Sequence, residues 1–316
     1  MKRGKVLRVG LITGCIALTL LGASGLFLLN YALRSNHRGK EIQGSYHYIY
    51  HEYPFVGTWI DSLQQANALR DTTIYDGDVA LHAYYIRAAK ATKKVAVIVH
   101  GYQDNAIRML MIGYLYNHDL AFNVLLPDLR YAGTSGGTHI QMGWLDRLDV
   151  MRWMQLSNTL FGGDTNMVVH GISMGAATSM MVSGEQQPNY VKCFVEDCGY
   201  TSVWEQFKKE IKGQFHLPAF PLLDTANLLC KKIYGWSFKE ASALKQVKKC
   251  HLPMLFIHGD SDLYVPTAMV HTLYRAKKGA KELWITPNTK HAESYKNYRE
   301  EYTKRVKKFV EKALLF

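Results

Sequence analysis

Several ingredients that would announce a particular function are absent from this chain of 316 residues. Its five cysteines include no CxxC pair, so neither a zinc site nor a disulfide framework is indicated. Cys193 and Cys198 fall on one expected strand, where five steps span about 16 Å against a disulfide limit of about 7 Å between Cα atoms, so they do not pair with each other. A bridge between Cys230 and Cys250 stays open. There is no internal repeat and no low-complexity tract, which argues against a solenoid or a disordered array. Acidic residues are outnumbered, 26 to 38, for a formal charge of +12, yet no zinc-finger spacing or RNA-binding aromatic motif accompanies the excess. The basic residues are scattered, with a mild concentration from Lys290 to Lys312. We expect no nucleic-acid partner, and read the charge as a solvated basic surface lying near anionic lipid or cell-wall polymer.

No acid precedes the apolar run at the N-terminus either. Lys2, Arg3, Lys5 and Arg8 are followed by an uncharged, mostly apolar stretch, residues 9–33, long enough to cross a bilayer as a helix. A cleaved signal peptide competes with an anchor, but Leu26-Phe27-Leu28-Leu29 continue the run past the small residues at 22–25, where cleavage would fall. Cys15 in Ile12-Thr13-Gly14-Cys15 resembles a lipoprotein acceptor with too short a hydrophobic lead. The expectation is a basic cytosolic tail at 1–8 and a transmembrane anchor at 9–33. Unopposed basic residues before the run keep the tail inside, so the bulk of the chain should be extracytoplasmic on a single-pass cell-membrane protein. Arg34, Arg38 and Lys40 follow the run on the other side.

Residues 34–70 read as a connector: Ser35 to Tyr53 shows no clear periodicity, and Val56 to Leu69 suggests a short helix packed on the domain. From residue 71 onward strands and helices alternate. A hairpin is expected around Asp76-Gly77-Asp78, then strands at Val95–Val99, Phe122–Leu126, Met167–Val169, Val191–Val195, Met254–Ile257 and Glu282–Ile285. Helices between them, and a final one over Ser294 to Leu315, imply an α/β fold with a mostly parallel central sheet and helices on both faces. An insertion at about 205–249 falls at the carboxyl edge of the sheet, where ligands bind in such folds. We expect a small helical cap there, with ordinary surface helices as the competing reading.

The pentapeptide Gly171-Ile172-Ser173-Met174-Gly175 follows an apolar strand and precedes a small-residue helix. That context is a nucleophile elbow, which presents a serine on a sharp turn at a strand end. Serine needs a base within hydrogen-bond reach and an acid to orient the base. Among the histidines that follow, His216 lies in the cap, His251 before a strand, His258 at a strand end ahead of the acid candidate, and His271 within a helix. His291 sits in a loop directly after the last strand, where it can swing over the serine. For the acid, Asp262 follows the strand Met254–Ile257; Asp260 and Asp197 are the alternatives. The oxyanion requires backbone donors, expected from Met174, after the nucleophile, and from Tyr102 in His100-Gly101-Tyr102.

Taken together, His100-Gly101-Tyr102, Asp128-Leu129-Arg130 with Gly133 and Ser135-Gly136, the elbow, Asp197-Cys198-Gly199-Tyr200-Thr201-Ser202, and Asp262-Leu263-Tyr264-Val265-Pro266 with His291 resemble the α/β-hydrolase superfamily from about Thr72 to the C-terminus. With the apolar N-terminus, the chain looks like the membrane-associated extracytoplasmic serine hydrolases of Gram-positive bacteria, on an esterase or serine-peptidase-like branch. One departure is Tyr131-Ala132, where many relatives carry Gly-His, and it bears on the pocket. The resemblance implies a serine hydrolase acting on a small acyl ester through an acyl-enzyme, with no metal and no organic cofactor. A peptidase or amidase acting on short peptides, and a non-catalytic binding protein with a retained hydrolase fold, stand as alternatives. Pocket shape should depend on how the cap folds over Tyr102, Tyr131 and Tyr200; oligomeric state has no sequence signal.

Overall fold

The computed structural model describes residues 2–34 and 37–315. Helix α1 (Lys2–Leu33) takes in the whole apolar run. Within it Gly10–Leu33 is long and apolar enough to cross a membrane, with a mean hydropathy of 2.1, a test that a membrane span and a signal sequence both pass. Three helices follow, α2 (His37–Lys40), α3 (Ile42–Glu52) and α4 (Pro54–Gln65). The packing helix was legible; α3 was not. Residues 42–52 lack a strong period, and they become helical because Ser45 and Ile49 are buried, with Asn105 Nδ2 donating to Ser45 Oγ at 2.8 Å.

Strands β1 (Arg70–Asp76) and β2 (Val79–Ile86) form the expected antiparallel hairpin. Strand β3 (Lys94–Val99) is followed by a helical segment that changes winding, tight over Ala106–Met109, α-helical as α5 (Leu110–Tyr114) and wide over Leu115–Asp119. Then come β4 (Asn123–Pro127), α6 (Asp146–Leu160), β5 (Asn166–Ile172), α7 (Met174–Ser183) and β6 (Val191–Asp197). The insertion supplies α8 (Val203–Phe215), α9 (Leu222–Tyr234) and α10 (Ala243–Val247). Strand β7 (Met254–Gly259), α11 (Ala268–Ala276) and β8 (Lys281–Thr286) complete the alternation. The last helix is two, α12 (Ser294–Asn297) and α13 (Arg299–Ala313), because Tyr298 between them leaves helical geometry while its hydroxyl donates to the Pro287 carbonyl at 3.0 Å.

The eight strands lie in the order β1-β2-β4-β3-β5-β6-β7-β8. Only β1 and β2 run antiparallel to their neighbours; from β4 to β8 every pairing is parallel. Strand β3 shows why the sheet has two covered faces. Val95, Val97 and Val99 join one buried apolar cluster, and Ala96 and Ile98 join the other, as period-two side chains in a sandwiched parallel strand must. All five cysteines are free, which closes the question of a Cys230–Cys250 bridge. This is the expected α/β architecture, and it leaves the carboxyl ends of β3, β5, β6 and β7 at one edge beneath the cap.

Candidate active site

The turn after β5 dictates the geometry of that edge. A Cβ on Gly171 would collide with the Gly175 carbonyl, and one on Gly175 with the Val99 carbonyl, so the strand, turn and helix close up only with glycine at both positions. Ser173 between them is held at φ 57°, a left-handed conformation costly for a residue with a side chain. Its N–H donates to the Asp197 carbonyl at 2.8 Å. Strain stored and repaid in this way fixes the hydroxyl at the mouth of α7.

Three polar side chains from three strand ends meet there. His291 Nε2 stands 2.8 Å from Ser173 Oγ, and His291 Nδ1 donates to Asp262 Oδ2 at 2.6 Å. A carboxylate accepts only, so Nδ1 carries the proton and Nε2 of the neutral ring is free to accept the serine proton. Asp262 Oδ1 takes the amides of Tyr264 and Val265, at 2.9 and 2.8 Å. Burial alone would push the Asp262 carboxyl up, but hydrogen bonds from His258 and His291 outweigh it and hold the group well below the usual carboxylate range. His258 Nε2 faces both Asp262 Oδ2, at 3.2 Å, and the Val265 carbonyl, at 2.9 Å, so it too is the protonated nitrogen. Set aside as a base by its place in the chain, His258 braces the Asp262 carboxylate instead.

The two alternative acids stand elsewhere. Asp260 accepts from Ser261 Oγ at 2.8 Å and from the Thr289 amide at 3.3 Å. Asp197 ends a buried chain that the sequence did not reveal: Tyr116 donates to His170 Nδ1 at 3.1 Å, His170 Nε2 donates to the Tyr302 hydroxyl at 3.0 Å, and Tyr302 donates to Asp197 Oδ2 at 3.0 Å. Burial pushes Asp197 up to about 6, against the pull of Tyr302, His258 and His291, and takes His170 down to about 3. Cys198, Asp262 and His291 offer ligand atoms within 4.8 Å of one another. Burial raises the Cys198 thiol well above its ordinary value, and both nitrogens of His291 already have partners.

The loop after β3 lies against the serine, where a Cβ on Gly101 would stand 3.4 Å from Ser173 Cβ and 3.9 Å from its Oγ. His100 pins that loop, its Nδ1 donating to the Gly101 carbonyl at 2.8 Å and its Nε2 accepting from the Leu129 amide at 2.9 Å. Among the described residues neither the Tyr102 nor the Met174 amide has an acceptor. Above the serine is a cavity of about 560 Å³, with Tyr102, Met174 and Tyr200 at its base and Phe207, Ile211, Leu223 and Phe238 from the cap region around it. Tyr131 is not part of the wall: its ring lies under Lys40 Nζ, 4.9 Å away. The wall that no motif announced is α1, which contributes Phe27, Leu28, Tyr31 and Ala32.

The model of the prolyl oligopeptidase family matches residues 141–315, a span that includes the serine, the acid and the histidine. The chain belongs to that family. Similar to this family member is the uncharacterized protein YqkD of Bacillus subtilis, 31% identical over 231 residues, which are 73% of this chain and 75% of that protein. The uncharacterized protein YfhR of Escherichia coli O157:H7 is 25% identical, over 71% of this chain and 73% of its own. Among solved structures, the Pyrococcus furiosus esterase Pf2001 superposes with a TM-score of 0.63 at 22% identity, covering 80% of this chain and 95% of that one. Pyrococcus horikoshii acylaminoacyl peptidase gives 0.59 at 17% identity, over 78% of this chain and 41% of the larger peptidase. The prolyl oligopeptidase family member is thus a serine hydrolase with the α/β-hydrolase fold.

Proposed function

We propose that this hydrolase is a membrane-anchored esterase in which Ser173 is the nucleophile, His291 the base and then the acid, and Asp262 the group that orients His291. The observation that carries the reading is the unbroken line Asp262–His291–Ser173, with its protons placed by the acceptors at each step. Ser173 Oγ bonds to the acyl carbon as His291 Nε2 takes its proton, and the carbonyl electron pair moves onto an oxygen facing the Tyr102 and Met174 amides. Collapse of that adduct breaks the ester bond and expels the alcohol, which leaves with the proton from His291. Water then attacks the acyl-serine by the same route, releasing the acid and restoring Ser173. The apolar lining of the cavity favours an acyl group over a peptide chain, and the nearly complete coverage of the similar esterase agrees with that choice. Peptide hydrolysis is the second reading, supported by the similarity to an acylaminoacyl peptidase.

A fluorophosphonate probe tests the nucleophile: labelling of the wild type that persists unchanged in Ser173→Ala would overturn it. Ester and aminoacyl-arylamide panels, compared as kcat/KM, decide between the two substrates. In the same reading α1 crosses the cell membrane, residues 1–8 stay in the cytosol, residues 34–70 connect, and residues 71–316 form the catalytic domain outside. Protease added to intact cells should digest the domain, and full protection would reverse the orientation.

A further inference from the structure

The helix proposed as the anchor is too short to do that job before it meets the catalytic domain. Fifteen residues, Gly10 to Ser24, precede the docked turns, and at about 1.5 Å per residue they reach only about 22 Å of a hydrocarbon core of about 30 Å. The missing distance falls on Gly25–Leu33, where Leu29 and Leu33 are buried in the domain while Leu26, Phe27 and Tyr31 stay exposed. Gly25 lets α9 close in, with Thr225 and Leu229 directly against it. Further along, the Ile140 amide donates to the Leu33 carbonyl at 2.7 Å, and His139, next to Ile140, stacks on Tyr234 with ring centroids 3.9 Å apart. Thus α9 runs parallel to the end of α1. The chain just before α9 therefore points back toward the free part of α1, and it carries Leu217 and Phe220, 45% and 76% exposed. Leu217 and Phe220 thus add exposed apolar surface on the cap beside α1, at the level where the bilayer must still be present.

The same turns wall the catalytic cavity. Phe27, Leu28, Tyr31 and Ala32 line it together with Ser173. The Tyr102 hydroxyl reaches the Ala32 carbonyl at 2.8 Å, and the Gln103 amide reaches that of Arg34 at 2.8 Å, tying the loop beside the nucleophile to the helix. At about 560 Å³ the cavity has the size of sites that enclose a ligand of several hundred daltons.

We propose that the cap seats in the membrane interface and that the cavity draws its substrate from the adjoining leaflet, an amphiphilic ester with a long acyl chain. The chain lies along Leu28, Phe207, Ile211 and Leu223, with the ester carbonyl at Ser173 and the alcohol toward the polar edge at Gln103 and Arg34. Hydrolysis adds water across the ester bond and returns a carboxylic acid and an alcohol. This deepens the esterase reading and rests on it.

The test uses the full chain reconstituted in phosphatidylcholine vesicles, with p-nitrophenyl acetate in the water and p-nitrophenyl dodecanoate in the bilayer. We expect the dodecanoate to be favoured in kcat/KM by about tenfold or more, since each buried methylene adds affinity. The double variant Leu217→Glu, Phe220→Glu should lose most of the dodecanoate rate in vesicles and keep the acetate rate, which also reports that it is folded. Equal or lower kcat/KM for the dodecanoate in the wild type would overturn the proposal while leaving the esterase reading intact, and so would a double variant that keeps both rates. Absence of Ser173-dependent turnover of either ester would instead overturn the esterase reading itself.

Discussion

At the floor of the cavity each group is fixed by a directed contact: glycines that admit no Cβ, a serine held at positive φ, a histidine bonded at both nitrogens, and a carboxylate whose oxygens are all engaged. The roof is different, because α1 and the cap meet through Leu28, Ile211, Leu223 and their neighbours, and apolar contact fixes proximity far better than it fixes atoms. On the proposed function, the floor is therefore the part that performs the chemistry and the roof the part that selects the substrate. Variants in the two regions should separate into effects on kcat and effects on substrate preference.

The largest effect belongs to the floor. Ser173→Ala should lower kcat by about a millionfold with little change in KM, since the nucleophile acts only on the way to the transition state; steady-state kinetics and active-site labelling check it. Next comes the choice of acid. Asp262→Asn should cost about ten-thousandfold in kcat by leaving His291 in the wrong tautomer. Asp197→Asn should change kcat by less than about tenfold and remove ~1–3 kcal/mol of stability by disrupting a buried hydrogen-bond chain. Paired measurements of kcat and denaturant midpoint would show a reversal if Asp197 were the orienting acid.

This division also explains what could be read from the sequence. The elbow, the positions of Asp262 and His291 after their strands, and the strand alternation all depend on short-range chemistry that leaves a spaced signature. Tyr116, His170 and Tyr302 leave none: 186 positions separate the first from the last, and only the packed sheet brings them into one chain. The place of α1 in the cavity wall was equally hidden, because the leucines and aromatics that suit a bilayer also suit such a wall. Helix α3 was missed for a related reason, its one buried face being set by the domain and not by its own period. Tyr131 drew attention as a departure from a family pattern, and it keeps a left-handed backbone, φ 62°, while its ring turns away to Lys40.

A smaller, selective effect is expected in the roof. Leu28→Trp places an indole in the cavity and should lower kcat/KM for a long-chain ester by about ten- to a hundredfold, the scale on which apolar pockets discriminate size, with a lesser loss for an acetate ester. A chain-length series measures it directly. Equal losses across the series would mean that α1 supports the floor and does not select the acyl group.

An effect on stability alone lies where floor and roof join. Asp146 opens α6 beside the loop that carries Met142 into the cavity, and its Oδ2 accepts the Gly143 amide at 2.8 Å. Burial pushes its carboxyl from an ordinary 3.8 up to about 7, against that hydrogen bond. The unfolded chain loses this proton near its ordinary value and the folded chain only near neutrality, so the folded state binds more protons in between. Stability from this group is therefore complete at acid pH and is lost as pH rises through the window, with a limiting slope of about 1.4 kcal/mol per pH unit. Asn at this position does not titrate. Asp146→Asn should flatten the fall in unfolding free energy between about pH 4 and 7 by up to that slope, read as the difference between the two proteins across a pH series in detergent. An unchanged slope would mean that the junction is already open to water, so that Asp146 ionises in the folded protein as freely as in the unfolded one.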